Sequence, residues 1–171
     1  IGITYIYGAN WMPLGSYADT SNMATLNLST IPNALMVTAL FGSTDAVIKY
    51  STETPDGNPD YSVLTYYDAN GFIVGYGNSW SDENGDKTTY RDENGDYIGE
   101  IWSDEHGYGN KFQIKTVVDD VTTQIQEIGE RTYHAINEGE TCIFNLISDG
   151  NWYLISGTEE CGQKGTDGTL L

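Results

Sequence analysis

The chain has 171 residues, of which 39% are hydrophobic and only 19% charged, with 20 Gly and 13 Tyr. So many aromatics exclude a disordered chain, and the length allows one ordinary domain with a real core. Twenty-five acidic residues against seven basic ones give a formal net charge of −18. Such a field repels nucleic acid and anionic membranes and attracts divalent cations.

Residues 1–60 are the most apolar part. The first residue is Ile1 rather than Met, which reads either as a mature, secreted product whose signal peptide is gone or as an artificially chosen start. The stretch from Ile1 to Tyr7 (IGITYIY) is short, β-prone and uncharged, and residues 1–10 are a candidate donor strand for a neighbouring copy. Asn27-Leu28-Ser29 fits the N-glycosylation pattern. Thr30-Ile31-Pro32 has the form of a helix start and Gly42 that of a stop, predicting one short helix near 32–41. The apolar run Ala34 to Phe41 (ALMVTALF) also reads as a buried strand, and it is too short to cross a membrane. Asp45 to Ser51 (DAVIKYS) looks like a strand, and Thr54 to Asp60 a loop.

Residues 61–112 repeat the motif Asp-x-Asn-Gly at Asp68, Asp82 and Asp92, with the variant Asp-Glu-His-Gly at Asp104. Asn-Gly between runs rich in Tyr, Thr, Trp and Ile is a strong hairpin signal. The segment is therefore a β-meander whose corners alternate between its two ends. Two-residue loops at Asn84-Gly85 and Asn94-Gly95 set Glu83 opposite Asp86 and Glu93 opposite Asp96, which is unfavourable unless a cation sits there. The same register aligns Trp80 with Thr89 and Glu100, and Asp82 with Lys87 and Trp102, so the two Trp fall in different rows. Neither face of this sheet is cleanly apolar, so both are expected to be largely solvated.

The wording of Tyr67-Asp68-Ala69-Asn70-Gly71 and of Asp82 to Tyr90 (DENGDKTTY) resembles the YD repeats of RHS-type cell-surface proteins over residues 64–112. It departs from them at Tyr90-Arg91-Asp92, where the family places Tyr directly before Asp. The resemblance implies an extracellular β-meander.

Asp82, Asn84 and Asp86, and again Asp92, Asn94 and Asp96, have the spacing that opens a calcium loop. Gly comes at the fourth position and no Glu at the twelfth, so neither is an EF-hand. Asp82, Glu83, Asp86, Asp92, Glu93 and Asp96 are the candidate Ca2+ ligands. The competing reading is plain hairpin turns.

Residues 113–171 return to strand patterns. Val121 to Asn137 reads as strand rather than helix because Gly129 and several Thr interrupt it. Thr141 to Ser148 and Asn151 to Gly157 form a hairpin across Asp149-Gly150, with Cys142 and Cys161 placed to staple it by a disulfide. His106 replaces Asn in a turn and His134 sits in a strand. No nucleophile elbow, P-loop, dinucleotide fingerprint or zinc-protease helix occurs.

The fold class expected is all-β: an antiparallel meander or sandwich in one domain, 1–171, with Asn-Gly hairpin turns and at most one short helix. The function expected is non-enzymatic. One reading is a secreted, self-associating structural or adhesive protein of a surface layer, matrix or filament, with calcium as its one candidate cofactor. The other is a carbohydrate-binding module using Trp80, Tyr90, Tyr97 and Trp102.

Overall fold

The structure, a computed structural model, describes residues 3–7, 13–42, 46–119, 121–134, 141–146 and 151–157. Strands β1 (Ile3–Tyr7) and β2 (Pro13–Ala18) pair antiparallel as a two-stranded sheet. The candidate donor strand is thus paired along one edge within its own chain. Ten further strands form one sheet in strict chain order: β3 (Ala24–Thr25), β4 (Lys49–Glu53), β5 (Tyr61–Tyr67), β6 (Ile73–Asp82), β7 (Gly85–Asp92), β8 (Tyr97–Asp104), β9 (Gly107–Val118), β10 (Val121–His134), β11 (Thr141–Leu146) and β12 (Trp152–Ser156). The fold is the expected all-β antiparallel meander with one helix. The strand expected from Asp45 starts only at Lys49. The corner expected at Asp149-Gly150, and residues 135–137, lie outside the described residues.

Helix α1 (Ile31–Phe41) occupies the position that Pro32 and Gly42 mark. Thr30 is extended, Pro32 sits in the first turn where no N–H is required, and Gly42 turns left-handed (φ 74°). Its amide donates to the Thr38 carbonyl at 2.7 Å. The helix wins over the strand reading because it lies across the sheet and buries Met36, Val37 and Ala39 there.

That placement overturns the expectation of a meander solvated on both faces. Tyr66, Tyr90, Ile98 and Phe112 are buried beneath α1 with Ile48. Rings run across the strands from Tyr50 through Tyr66 and Tyr90 to Phe112, with centroids 6.2, 6.1 and 5.6 Å apart. Gly77, Tyr90, Gly99 and Phe112 lie directly opposite one another on β6 to β9. A Cβ on Gly99 would stand 2.3 Å from Phe112 Cδ1. The glycines therefore make room for the rings to lie down on the sheet. Burying each large apolar side chain in this layer contributes about 1.5–3 kcal/mol. Burial also pushes the Tyr66 and Tyr90 phenols up, Tyr66 further by its neighbour Tyr90.

The four corners fall into two classes, one at each end of the sheet. At Asp68 and Asp92 the loop has three residues. Gly71 and Gly95 are left-handed (φ 87° and 86°), and their amides donate to the Asp68 and Asp92 carbonyls. This is a type I turn closed by a glycine bulge. At Asp82 and Asp104 the loop has two residues: Asp82 pairs directly with Gly85 and Asp104 with Gly107. The loop is thus Glu83-Asn84, not the expected Asn84-Gly85, and β6 slides two residues against β7. Gly85 and Gly107 belong to strands. A Cβ on either would come within 2.0 Å of a carbonyl oxygen, that of Ser103 and Thr132 respectively.

Candidate functional site: a paired tryptophan row on the open face

The shifted register decides the geometry of the face opposite α1. Tyr61, Trp80, Lys87 and Trp102 now lie directly opposite one another on β5 to β8. The expected assignment of Trp80 and Trp102 to different rows is therefore corrected. The next row holds Asp82, Gly85 and Asp104. Both rows come from one repeated tetrapeptide, Trp-Ser-Asp-Glu, at residues 80–83 and 102–105. Strands β6 and β8 flank β7, so each copy places a Trp and an Asp on either side of it. Two strand spacings put the two Trp backbones about 10 Å apart.

Each indole is held. Trp80 is 55% exposed and rests against Tyr61, with centroids 4.2 Å apart. Trp102 lies over Gly109, where a Cβ would be 2.3 Å from its ring. It meets Trp152 edge-on at 6.3 Å, and the Arg131 guanidinium sits 5.8 Å over it. Between them, Lys87 is drawn toward Glu100, its Nζ 2.7 Å from Oε2. Its ammonium is therefore engaged one row away, and its alkyl stem floors the gap.

Glu100 is 9% exposed and lies 3.2 Å from Lys111 as well. Burial raises its pKa, but Lys87 and Lys111 outweigh that and hold the carboxyl below its ordinary value. The cleft that Trp80 and Trp102 enclose has a volume of about 330 Å³ and is also lined by Asp82, Asp86 and Asp104.

The aspartates of the repeat have a local task. Asp82 Oδ1 accepts the Asn84 amide and Asp104 Oδ1 the His106 amide, each at 2.8 Å. Asp68 Oδ1 accepts from Asn70 and Phe72, and Asp92 Oδ1 from Asn94 and Asp96. These are Asx turns, which mimic a backbone turn.

The like-charge pairs expected at the corners do not form. Glu83 and Glu93 stand in loops, and Asp86 lies opposite Ser81, whose hydroxyl donates to it. Asp96 closes its corner through its backbone carbonyl, which accepts from Asp92. The electrostatic reason for a cation at Asp82, Glu83 and Asp86 or at Asp92, Glu93 and Asp96 is thereby removed. Among the described residues no group of three or more His, Cys, Asp or Glu is arranged to hold a metal ion.

Of the expected ligand-binding aromatics, Trp80 and Trp102 come together. Tyr90, 5% exposed, belongs to the core on the opposite face. Tyr97 sits opposite Arg91 and is half-buried. Burial, then the Glu100 carboxylate, pushes its phenol up. Sequence reasoning missed Tyr61, Lys87, Arg131 and Trp152. The repeated Trp-Ser-Asp-Glu was the available signal, and the assumed loop length put its two Trp in different rows.

The ring of His106 stacks on Tyr133 at 5.9 Å, consistent with a turn residue. Cys142 is fully buried and is not a free thiol; Cys161 lies outside the described residues. No described helix is long and apolar enough to cross a membrane. No family profile, curated protein or solved structure matches the chain.

Proposed function

We propose that this is a non-enzymatic, glycan-binding β-protein whose open face takes a neutral oligosaccharide across Trp80 and Trp102. The alignment of the two indoles in one row carries the reading. Two apolar platforms two strands apart suit sugar rings, which present an apolar face for stacking and hydroxyls at the rim. Asp82 and Asp104 flank the platforms, and among the described residues each makes only its turn bond. The second oxygen of each carboxylate is available to accept from a hydroxyl. A polyanionic glycan is disfavoured by the net charge of −18. An extracellular or cell-surface setting, as the YD-repeat resemblance implies, fits this role, and a Cys142–Cys161 bridge belongs to the same setting.

The test is calorimetric titration with soluble neutral oligosaccharides, such as cello-, xylo-, manno- and chito-oligomers. At least one should bind saturably. Trp80→Ala should weaken it about tenfold, the worth of one exposed stacking platform. Because Trp80 is mostly exposed, the fold should persist, as near-ultraviolet dichroism would show. Absence of binding across the panel, or an unchanged affinity in Trp80→Ala, would end this reading.

Self-association is a second reading, favoured by the sheet's last strand. Edge strand β12 exposes Tyr153, Leu154 and Ile155 in succession, Ile155 by 56%. Natural edges are usually blunted by Lys, Pro or a bulge; Trp152–Ser156 contains neither Lys nor Pro, and its pairing with β11 shifts register at Ile155. Sedimentation equilibrium should show concentration-dependent association that Ile155→Lys abolishes. A monomer at all accessible concentrations would exclude it.

A further inference from the structure

We infer a second binding site, on the helix-covered face, that takes a primary ammonium group carried on an alkyl chain. It lies on the face opposite the tryptophan row and does not rest on the glycan reading. A cleft of about 400 Å³ opens between the first two turns of α1 and strands β9 to β11, a size that suits a small ligand. Its apolar walls include Ile31 and Leu35 from the helix and Ile128 from β10.

Besides Gln126, the polar part of the lining is one row of the sheet: Asn110, Glu130 and Asn145 lie directly opposite one another on β9, β10 and β11. Asn110 is only 8% exposed, and among the described residues its buried Oδ1 has no hydrogen-bond partner. A buried polar atom left unpaired is costly and rare, and such an atom at a cleft marks a place where a donor is wanted. Beside it, Glu130 is half-buried and, among the described residues, has no ion-pair partner.

The nearby cations are committed to the other face. Arg131 sits over Trp102, and Lys111 pairs with Glu100. The site thus offers one full negative charge, an amide acceptor next to it and an aliphatic wall. An ammonium supplies up to three donors from one atom and neutralises Glu130, while an alkyl chain matches Ile31, Leu35 and Ile128. The N-terminal end of α1 also borders the cleft. Its partial positive charge is about half an elementary charge and fades within one turn, so the carboxylate sets the sign.

The experiment follows backbone and side-chain amide resonances of the full chain while hexylammonium chloride, 1-hexanol or sodium hexanoate is added at constant ionic strength. Hexylammonium should give saturable shifts centred on Asn110, Glu130 and Asn145. Hexanol should bind about tenfold more weakly, for want of the charge-assisted bond, and hexanoate weaker still. Glu130→Gln should reduce hexylammonium affinity about tenfold and leave hexanol unchanged. Glu53→Gln, the same charge change on the exposed end of β4, should alter neither.

Equal binding of hexanol and hexylammonium to the wild-type chain would show an apolar cleft only. Tighter binding of hexanoate would show an anion site at the helix end. Equal losses in both variants would show diffuse attraction to an acidic protein. Absence of saturable shifts would show no site. Each of these results overturns the proposal, and the wild-type ligand series decides it even if Glu130→Gln fails to fold.

Discussion

Replacing Asp92 separates the turn and metal roles of the acidic repeat. Asp92 Oδ1 accepts two backbone amides, Asn94 at 2.9 Å and Asp96 at 3.0 Å, while Oδ2 lies 3.7 Å from Lys115 Nζ. Asp92→Ala removes both acceptor interactions. The freed amides turn to water, so each loss is near the low end for a bond to a charged group. Together they cost about 2 kcal/mol. Asp92→Asn keeps an oxygen acceptor in the same place and should cost about 0.5 kcal/mol. Asp82→Ala, which loses a single exposed bond, should cost about 1 kcal/mol. For a chain of this size each kcal/mol corresponds to about 2–4 °C in Tm.

Urea unfolding in EDTA and in millimolar calcium would give the three values side by side. The order Asp92→Ala, Asp82→Ala, Asp92→Asn should hold in both buffers, and calcium should leave the wild-type midpoint in place. The reasoning fails if Asp92→Asn is as damaging as Asp92→Ala. It also fails if calcium raises the wild-type midpoint but not that of the Asp92 variants, because a cation ligand would behave that way.

Gly99→Ala should cost about 2–3 kcal/mol, since its Cβ would stand 2.3 Å from Phe112 and 2.5 Å from the Lys111 carbonyl. Gly77→Ala, whose Cβ meets its neighbours at 3.4 Å, should cost under about 1 kcal/mol because lost unfolded-state entropy offsets part of it. Urea midpoints reversing that order would refute the close-approach argument. The carboxyl of Glu100 is held below its ordinary value in the fold. Its contribution is therefore fully present above the unfolded value of about 4.3 and lost as pH falls through the folded value. The stability gap between wild type and Glu100→Gln, about 1–2 kcal/mol at neutral pH, should close in acid. A gap constant from neutral pH to about pH 3 would show that Lys87 and Lys111 do not act through the Glu100 charge.

Much of this fold is legible from residue types alone. Pro32 and Gly42 bracket the helix because their backbone preferences are local. The Asp-x-Asn-Gly repeats place the corners and their alternation between the two ends, for the same reason. Tertiary structure decided how each corner closes. The pentapeptide Asp-Glu-Asn-Gly-Asp occurs at 82–86 and at 92–96, yet the first closes with two loop residues and the second with three. At 92–96 the longer loop comes with a bulge near Ile98. A two-residue loop there would pair Thr89 with Ile98 and turn Ile98 away from α1, losing the burial of a large side chain. At 82–86 no core residue depends on a bulge, and Gly85 lets the β8 backbone approach closely. Loop length sets register, and register set the row that joins Trp80 to Trp102. The sequence by itself thus determined which residues stand on the strands and where the chain turns. The alignment of the tryptophans needed tertiary structure because it requires two identical pentapeptides to close differently: burial of Ile98 beneath α1 selects the longer loop at 92–96, and the two-residue loop at 82–86 sets Trp80 opposite Lys87.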